Sequence, residues 1–187
     1  MKTIRLATAD DAAAMSYIHS ITWKTAYRDF LTKEYLDNLT AEGWIPIFKR
    51  ELLENIHEAA VFELDNKITG CITFGKGRVG QTCTMAKSGA SDSVDTTDCC
   101  MCNSGEIISL YVLPEHWNSK QGYELTKYAL ERLKQQGFND CYLWVIKDNQ
   151  RAKAFYRNFG FKSTNTFTTV NLGGRDITEE KYNYIFI

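Results

Sequence analysis

The stretch "LYVLPEHWNSKQGYELTKYALERL", residues 110–133, predicts a strand, a short polar turn and a helix in direct succession. The strand begins upstream in the apolar run "IISLYVL" and stops at Pro114, which has no backbone donor for a sheet ladder. Apolar residues return at helical spacing beyond Gly122. A helix starting there leaves its first backbone N–H groups without intrahelical partners, so the junction is either a plain turn or an anion site.

The glycine bears on this choice without deciding it. A helix N-terminus carries roughly half a positive charge, which favours a nearby anion by about 0.3–1 kcal/mol. Because Gly122 has no Cβ, a phosphate group is able to approach the backbone closely at that point. One glycine at a helix start is nevertheless common, and both interpretations stay open on this feature alone.

The rest of the chain has an α/β pattern. The N-terminal half predicts a strand at 2–8, a helix at 9–30, a second helix capped by Thr32, a third with Pro46 near its start, and a hairpin turning at Asp65-Asn66. The C-terminal half predicts a buried strand "CYLWVIK", a helix capped by Asn149 and ended by Gly160, and a strand pair turning at Gly173-Gly174. This order of elements predicts a mixed sheet flanked by helices.

Composition narrows the function classes. The 187 residues are 44% hydrophobic, which is enough for a single domain over 1–187 with its own core. A net charge of −1 provides no broad basic field for nucleic acid, so no nucleic-acid partner is expected. No apolar run approaches the ~18 residues of a membrane span, and the N-terminus lacks the apolar core of a signal peptide. We therefore expect a cytoplasmic protein without a membrane partner.

Residues 76–104 differ from the rest, being rich in Gly, Ser, Thr and Asp, and we expect a flexible insertion there. Four of the six cysteines lie in it: Cys83, Cys99, Cys100 and Cys102. The adjacent Cys99 and Cys100 cannot easily both point at one ion, so we expect no metal, although a zinc-stabilised interaction module and a redox-sensing role stay open as alternatives. Cys71 and Cys141 lie in apolar runs and are expected in the core.

Two motifs taken together resemble the GNAT acetyltransferase superfamily. Family members run from a strand ending V-x-P into Q/R-x-x-G-x-G/A at a helix start, and later read N-x-x-A-x-x-x-Y-x-x-x-G-F. Here "VLPEHW" and "NQRAKAFYRNFGF" match these patterns, and the N-terminal half is similar to the opening of a common bacterial subgroup. The resemblance covers the chain outside about 76–104. It implies a GNAT-like α/β fold with a mixed, mostly antiparallel central sheet flanked by helices.

The resemblance also implies where acetyl-CoA binds as co-substrate. Backbone groups of Leu110, Tyr111 and Val112 are expected to pair with the pantetheine, one N–H polarising the thioester carbonyl, while Asn149 and Ala152 contribute from the second motif. The diphosphate is expected at the turn formed by Trp117, Asn118, Ser119, Lys120, Gln121, Gly122 and Tyr123.

One position departs from the family pattern. Lys120 stands where the family has its first glycine, and Trp117 occupies the Q/R position. The lysine Cβ either crowds the diphosphate or requires an altered turn, or its ammonium group attracts phosphate directly. The sequence does not decide between these possibilities. It therefore also leaves open a non-catalytic GNAT-like domain that acts as a CoA-binding or protein-interaction module.

The implied reaction transfers an acetyl group directly to a primary amine of a small molecule or peptide. An alkyl ammonium group with a pKa near 10.4 must lose a proton, which costs roughly 4–5 kcal/mol at pH 7. Glu106, at the start of the strand, is the expected general base, and Tyr156 is expected to protonate the departing thiolate. The structural alternatives are a solvated strand-end glutamate and a core tyrosine.

The resemblance implies an acceptor pocket lined by the first helices and the far end of the sheet. Trp23, Tyr27 and Trp144 are expected to line it, because aromatic faces attract a cationic amine. Core packing is the alternative role for each of them. Dimers are common among relatives of this kind, so a homodimer is also an expectation. The sequence does not identify the acceptor.

Overall fold

The computed structural model describes residues 1–78 and 103–187, which form one seven-stranded sheet in the order β1-β2-β3-β4-β5-β7-β6. Its strands are β1 Lys2–Leu6, β2 Glu58–Leu64, β3 Lys67–Lys76, β4 Ser104–Val112, β5 Asp140–Ile146, β6 Lys162–Leu172 and β7 Arg175–Ile185. The one parallel pair among them is β4 with β5, and the other neighbours are antiparallel. The predicted mixed, mostly antiparallel sheet is therefore confirmed.

Helices cover both faces of this sheet. They are α1 Ala12–Ala26, α2 Lys33–Asp37, α3 Ile45–Leu53, α4 Gln121–Gln135 and α5 Gln150–Phe159. On one face, Met15 and Ile18 of α1 and Phe48 of α3 pack on the sheet; on the other, Leu125 and Leu133 of α4 do. Each face thus has its own apolar core, as a sheet with helices on both sides requires.

Local sequence signals place several element boundaries. The Thr32 hydroxyl accepts a hydrogen bond from the Tyr35 N–H and caps α2. Asp65 and Asn66 have φ values of 49° and 64°, the pair of left-handed residues that a tight hairpin turn needs. Gly160 ends α5 with a φ of 97°. These predictions are confirmed because each depends on a residue and its immediate neighbours.

The helix predicted at 9–30 is shorter at both ends. Residues Ala9–Asp11 form a 3₁₀ turn in which the Asp11 carboxylate accepts the Thr8 N–H at 2.7 Å and pairs with Arg5. The helix ends at Ala26 because Tyr27 leaves helical geometry, with a φ of −110°. Both ends are set by contacts that helical periodicity does not report.

Cys71 and Cys141 are buried and unpaired, as predicted for core residues. Cys83, Cys99, Cys100 and Cys102 lie outside the described residues, as does most of the segment 76–104. The described ends of that segment extend the sheet: the Gly77 N–H donates to the Ser104 carbonyl at 2.9 Å. Within the described residues no helix has the length and apolar character to cross a membrane.

We predict that replacing residues 79–102 with Asn-Gly leaves the fold intact. Gly77 is hydrogen-bonded to Ser104, so Arg78 and Asn103 are the next residues beyond the paired strands on the two sides. A two-residue turn between them should therefore close the hairpin. The measurement is a thermal melt by circular dichroism: the shortened chain should keep one cooperative transition. A broad, non-cooperative melt would show that the segment contributes to the core.

Candidate active site

The parallel strands β4 and β5 pair over three positions and then separate. The pairs are Ser104–Asp140, Gly105–Cys141 and Glu106–Tyr142. A bulge follows in β4, because Ser109 pairs with Thr73 and Ile107 with Phe74. A bulge bends its strand and increases its twist, and here it coincides with the divergence from β5. The remainder of β4 therefore has an edge facing the gap that β5 does not pair with.

Backbone alternation shows which groups line this gap. The Leu113 N–H donates to Thr69 of β3, so Leu113 and, two residues earlier, Tyr111 direct their backbone groups toward β3. The backbone N–H and C=O groups of Leu110 and Val112 accordingly face the gap. The Val112 carbonyl already accepts hydrogen bonds from the Trp117 indole N–H at 2.8 Å and the Thr22 hydroxyl at 3.3 Å.

The helix α4 begins at the mouth of the gap without a side-chain cap. Lys120 is its N-cap residue and adopts the left-handed conformation, with φ 67° and ψ 0°. No side chain in the described part of the chain caps the first turn. The N–H groups of Gln121, Gly122 and Tyr123 are left for an external partner. An additional Cβ on Gly122 would meet Phe155 no closer than 3.7 Å, so packing within the protein does not require a glycine there.

Two predicted diphosphate residues have internal roles for their side chains. Gln121 is buried, and its amide oxygen accepts the Thr69 hydroxyl at 2.9 Å, which ties the start of α4 to β3. Trp117 supports the guanidinium group of Arg151, which lies 3.7 Å above the indole ring. Arg151 was not predicted from sequence, and it places a cation between the starts of α4 and α5.

The second motif forms the other wall. The Asn149 side-chain oxygen accepts the Ala152 N–H at 3.0 Å, which confirms Asn149 as the N-cap of α5. Tyr156 lies one turn further along the helix and packs against the ring of Phe161. Burial raises the pKa of Tyr156 above its ordinary value, and the phenol of Tyr27 adds to this effect. Tyr156 is therefore a neutral phenol at physiological pH.

Tyr156 interacts electrostatically with two other buried phenols, Tyr27 and Tyr111. The hydroxyls of Tyr27 and Tyr111 are hydrogen-bonded at 3.2 Å. Burial raises the pKa of Tyr111 well above its usual range, and the neighbouring Tyr27 and Tyr156 raise it further. The residue after α1 and strand β4 thus bring two neutral hydroxyls together, and α5 carries a third neutral phenol, Tyr156.

Glu106 is buried, with 1% of its side chain exposed, at the base of the gap. Its carboxylate accepts hydrogen bonds from the Arg78 backbone N–H at 3.1 Å, from the Arg78 guanidinium and from the Tyr142 hydroxyl at 3.0 Å. The sequence singled out Glu106 but gave no signal for Arg78. Glu106 is therefore not the solvated strand-end residue that the sequence left open.

A second carboxylate, Glu179 on β7, lies on the same face of the sheet as Glu106. Glu179 pairs with Ile146, in the part of β5 that no longer pairs with β4. Burial raises the pKa of Glu179, while Arg78 lowers it and Glu106 raises it. The sequence analysis missed Glu179, which no motif identifies and whose position follows from strand pairing alone.

The aromatic residues predicted for the acceptor occupy this face. The rings of Trp23 and Tyr27 are in edge contact, with centroids 5.0 Å apart, and Trp23 also packs against Trp44. Trp144 lies on β5 opposite Lys181, whose ammonium group is 4.1 Å from the ring centre of Tyr142. The structure brings Trp23 and Tyr27 into contact. Trp144 lies on the same face but further along β5, away from that pair.

Within the parts of the chain that the structure describes, no group of three or more His, Cys, Asp or Glu side chains is arranged to hold a metal ion. The three histidines belong to different environments. His19 is buried among the rings of Trp44, Phe48 and Tyr111. The cysteines with which a zinc site was considered lie outside the described residues.

Comparison with known proteins gives consistent results. The sequence model of the "Acetyltransferase (GNAT) family" matches residues 15–161. The chain is 26% identical over 180 residues to spermidine N(1)-acetyltransferase of Thermoplasma acidophilum, covering 96% of each chain. It is 25% identical over 149 residues to an uncharacterised N-acetyltransferase of Bacillus subtilis, covering 80% of this chain and 74% of that one.

A structural comparison agrees with the sequence matches. The crystal structure of a putative acetyltransferase of Salmonella typhimurium with acetyl-CoA has a TM-score of 0.68 to this chain. The two are 18% identical, and the alignment covers 99% of this chain and 94% of the other. This likeness supports the fold assignment.

We predict that His19 makes the fold sensitive to acid. Burial lowers the pKa of His19 to about 3, from an ordinary value of 6.5, and both ring nitrogens lack a hydrogen-bond partner among the described residues. Below pH 6.5 the unfolded state takes up a proton that the folded state excludes, so stability falls by about 1.4 kcal/mol per pH unit, or roughly 2 kcal/mol at pH 5.

The measurement is urea unfolding between pH 7.5 and pH 5 for the wild type and His19→Phe, a ring of similar size that does not titrate. The wild type should lose about 2 kcal/mol more stability than the variant over this range. Parallel pH curves for the two proteins would show that His19 is protonated, or solvated, in the folded state.

Proposed function

Because the chain belongs to the Acetyltransferase (GNAT) family, we propose that it transfers the acetyl group of acetyl-CoA directly to a primary amine of a small molecule or peptide. The observation that carries this proposal is the unpaired edge of β4 ending beside an uncapped helix start. An extended amide chain bearing a diphosphate suits this combination, because strand edges pair with amides and helix N-termini attract anions.

The binding part of the proposal assigns roles to particular groups. The pantetheine lies along β4, where Leu110 and Val112 face the gap and the carbonyl of Val112 is already engaged. The diphosphate lies on the N–H groups of Gln121, Gly122 and Tyr123. The exposed ammonium of Lys120 and the guanidinium of Arg151 add positive charge from both sides.

The left-handed backbone of Lys120 suits the altered-turn alternative from the sequence. A lysine in this conformation costs about 1–2 kcal/mol relative to its preferred geometry, a cost that glycine would avoid. The ammonium group offsets part of this cost if it contacts phosphate. Asn149 keeps its amide N–H₂ for the pantetheine, since its oxygen serves as the cap.

The chemical part concerns charge at the thioester. As the amine attacks, negative charge develops on the carbonyl oxygen and then on sulfur. In this proposal, backbone N–H groups of β4 stabilise the charge on the carbonyl oxygen. Tyr156 donates a hydrogen bond to the departing sulfur. Because burial raises the pKa of Tyr156 above that of an ordinary thiol, near 8.5, a strong hydrogen bond rather than an early proton transfer is expected.

The acceptor occupies the face of the sheet that carries Trp23 and Tyr27, with Trp144 across it. Two carboxylates, Glu106 and Glu179, lie on this face and suit an amine that arrives protonated. A relative is a spermidine N(1)-acetyltransferase, which makes spermidine the first acceptor to test. Glu106 remains the sequence-based prediction for the base.

The direct test is a screen for amine-dependent release of free CoA thiol from acetyl-CoA. The panel contains spermidine, an aminoglycoside, free amino acids, a peptide with a free N-terminus and a lysine peptide blocked at its N-terminus. We expect saturable thiol release with at least one of them. Tight acetyl-CoA binding without turnover on any amine would instead indicate a CoA-binding module.

We predict that Gly122→Asp weakens acetyl-CoA binding at least about tenfold without destabilising the protein. A carboxylate in the first helical turn is favoured by the helix dipole, but it repels a diphosphate at the same N–H groups. Gly122→Ala is the matched control, because its methyl group has room beside Phe155. Isothermal titration with acetyl-CoA and a thermal melt are the measurements; equal affinity in both variants would place the diphosphate elsewhere.

We predict that Tyr156→Phe lowers kcat about tenfold or more while acetyl-CoA affinity stays close to wild type, because the hydroxyl acts on developing charge at sulfur. Steady-state kinetics with an acceptor from the panel measure kcat. Tyr184→Phe serves as a control, since that ring packs between Phe161 and Phe186, away from the gap. Turnover that Tyr156→Phe leaves unchanged would exclude the role at sulfur.

A further inference from the structure

The carboxylate of Glu106 is fully engaged by hydrogen bonds from Arg78 and Tyr142. One oxygen accepts from the Arg78 guanidinium at 2.5 Å, and the other from the Arg78 backbone at 3.1 Å and the Tyr142 hydroxyl at 3.0 Å. The Arg78 Nε also lies within 3.2 Å of both oxygens. A carboxylate has about four lone-pair sites, and these contacts fill them.

Glu179 has no such hydrogen bonds within the described residues. Its neighbour Glu180 pairs with Lys153 of α5, and because side chains alternate along a strand, Glu179 points to the opposite face. That face carries Glu106, Tyr142 and the aromatic residues of the proposed acceptor site. Among residues 1–78 and 103–187, no side chain or backbone group hydrogen-bonds to the Glu179 carboxylate, which is half-buried.

Glu179 also lies close to the phenols of the gap. Glu179 pairs with Ile146, which packs in the same apolar cluster as Tyr27. Burial raises the pKa of Tyr27, and the negative charge of Glu179 raises it further. Tyr27 in turn is hydrogen-bonded to Tyr111, whose ionisation is coupled to Tyr156. Glu179 thus lies on the same side of the sheet as the hydrogen-bonded pair of Tyr27 and Tyr111.

The charged and titratable groups around Glu179 come from several elements. Tyr27 follows α1, Arg78 follows β3, Glu106 is on β4 and Lys181 is two residues further along β7. Burial raises the pKa of Glu179 and the charge of Glu106 acts in the same direction, against the opposing effect of Arg78. A carboxylate in these surroundings is a better base than a solvated glutamate.

We propose that Glu179, rather than Glu106, accepts the proton from the acceptor amine, and that Glu106 with Arg78 forms a pair that positions the base of the gap. This assignment rests on the proposed acetyltransferase function. It makes Glu179 a catalytic residue that no motif in the chain identifies. Glu106 retains a structural reason to occupy the start of β4, where it anchors Arg78 and Tyr142.

The proton and bond changes balance as follows. The ammonium group of the acceptor gives one proton to the Glu179 carboxylate, directly or through one water molecule, and becomes a neutral amine. The amine nitrogen forms a bond to the thioester carbon, and the carbon–sulfur bond breaks. The second nitrogen proton is lost as the amide forms and ends on the thiolate, with Tyr156 donating to sulfur. Glu179 then releases its proton to solvent.

The test compares Glu179→Gln and Glu106→Gln with the wild type, using acetyl-CoA and spermidine, or the panel amine with the fastest turnover. We measure kcat against pH. For the wild type, kcat should rise with pH through a midpoint above that of an ordinary glutamate, because the base must be ionised. Glu179→Gln should lower kcat at pH 7 roughly 100-fold, as expected for loss of a general base, and abolish that rise.

Glu106→Gln should keep the rise of kcat with pH, whatever its effect on the size of kcat. Its midpoint should lie below that of the wild type, because the charge of Glu106 raises the pKa of Glu179. The assignment is overturned if Glu179→Gln retains the wild-type kcat and midpoint, or if Glu106→Gln alone abolishes the rise. Isothermal titration should show acetyl-CoA binding unchanged in Glu179→Gln, because the residue is across the gap from the diphosphate.

Glu179→Ala adds a measurement that a purely structural role would not affect. Added formate should restore part of its kcat by supplying a small carboxylate in the space that the side chain leaves, and no restoration at any formate concentration would count against the assignment. A wild type that turns over no amine would overturn the proposed function itself. If the wild type is active and substitutions of Glu179 change neither kcat nor its pH dependence, only the base assignment is overturned.

Discussion

The separation of β4 from β5 is the constraint on which the rest of the site depends. A β-strand inside a sheet normally satisfies its backbone groups on both edges, and an unpaired inner edge is costly unless water or a ligand occupies it. Here the pairing stops at Glu106, and the bulge at Ile108 turns the rest of β4 away. The opening lies inside the sheet, between two strands that are each held firmly on their other side.

The two helices that follow these strands make the opening chemically specific. Since β4 and β5 are parallel, α4 and α5 both start at the same end of the gap, and their positive N-termini lie side by side. They are used differently. Asn149 caps α5 with its own side chain, whereas α4 starts at a left-handed lysine without a side-chain cap. The free amide groups are therefore concentrated at one of the two helix starts.

The sequence predicted the parts of this arrangement that depend on near neighbours. The turn at Asp65-Asn66, the caps Thr32 and Asn149, and the strand–turn–helix at Gly122 each follow from residues within a few positions. Arg78, Arg151 and Glu179 were missed because their partners are distant in sequence. Glu179 lies in an ordinary-looking strand, and its facing direction and neighbours become known only once β7 pairs with β5.

Burial has opposite consequences for the two kinds of group in the gap. It keeps the phenols of Tyr27, Tyr111 and Tyr156 neutral, which suits donors of hydrogen bonds to a thioester and to sulfur. The same burial opposes a charged ammonium group and a charged carboxylate. Glu106 tolerates burial because Arg78 compensates its charge, but that compensation also occupies the oxygen atoms a base would use.

A half-buried carboxylate beside the gap meets both requirements. Solvent on one side lets Glu179 ionise and return its proton to water, while burial on the other side keeps it basic enough to take a proton from an amine. The strand alternation that turns Glu180 toward Lys153 also turns Glu179 toward the face that carries Trp23 and Tyr27. A base on β7 therefore separates the task of holding the gap together from the task of moving the proton.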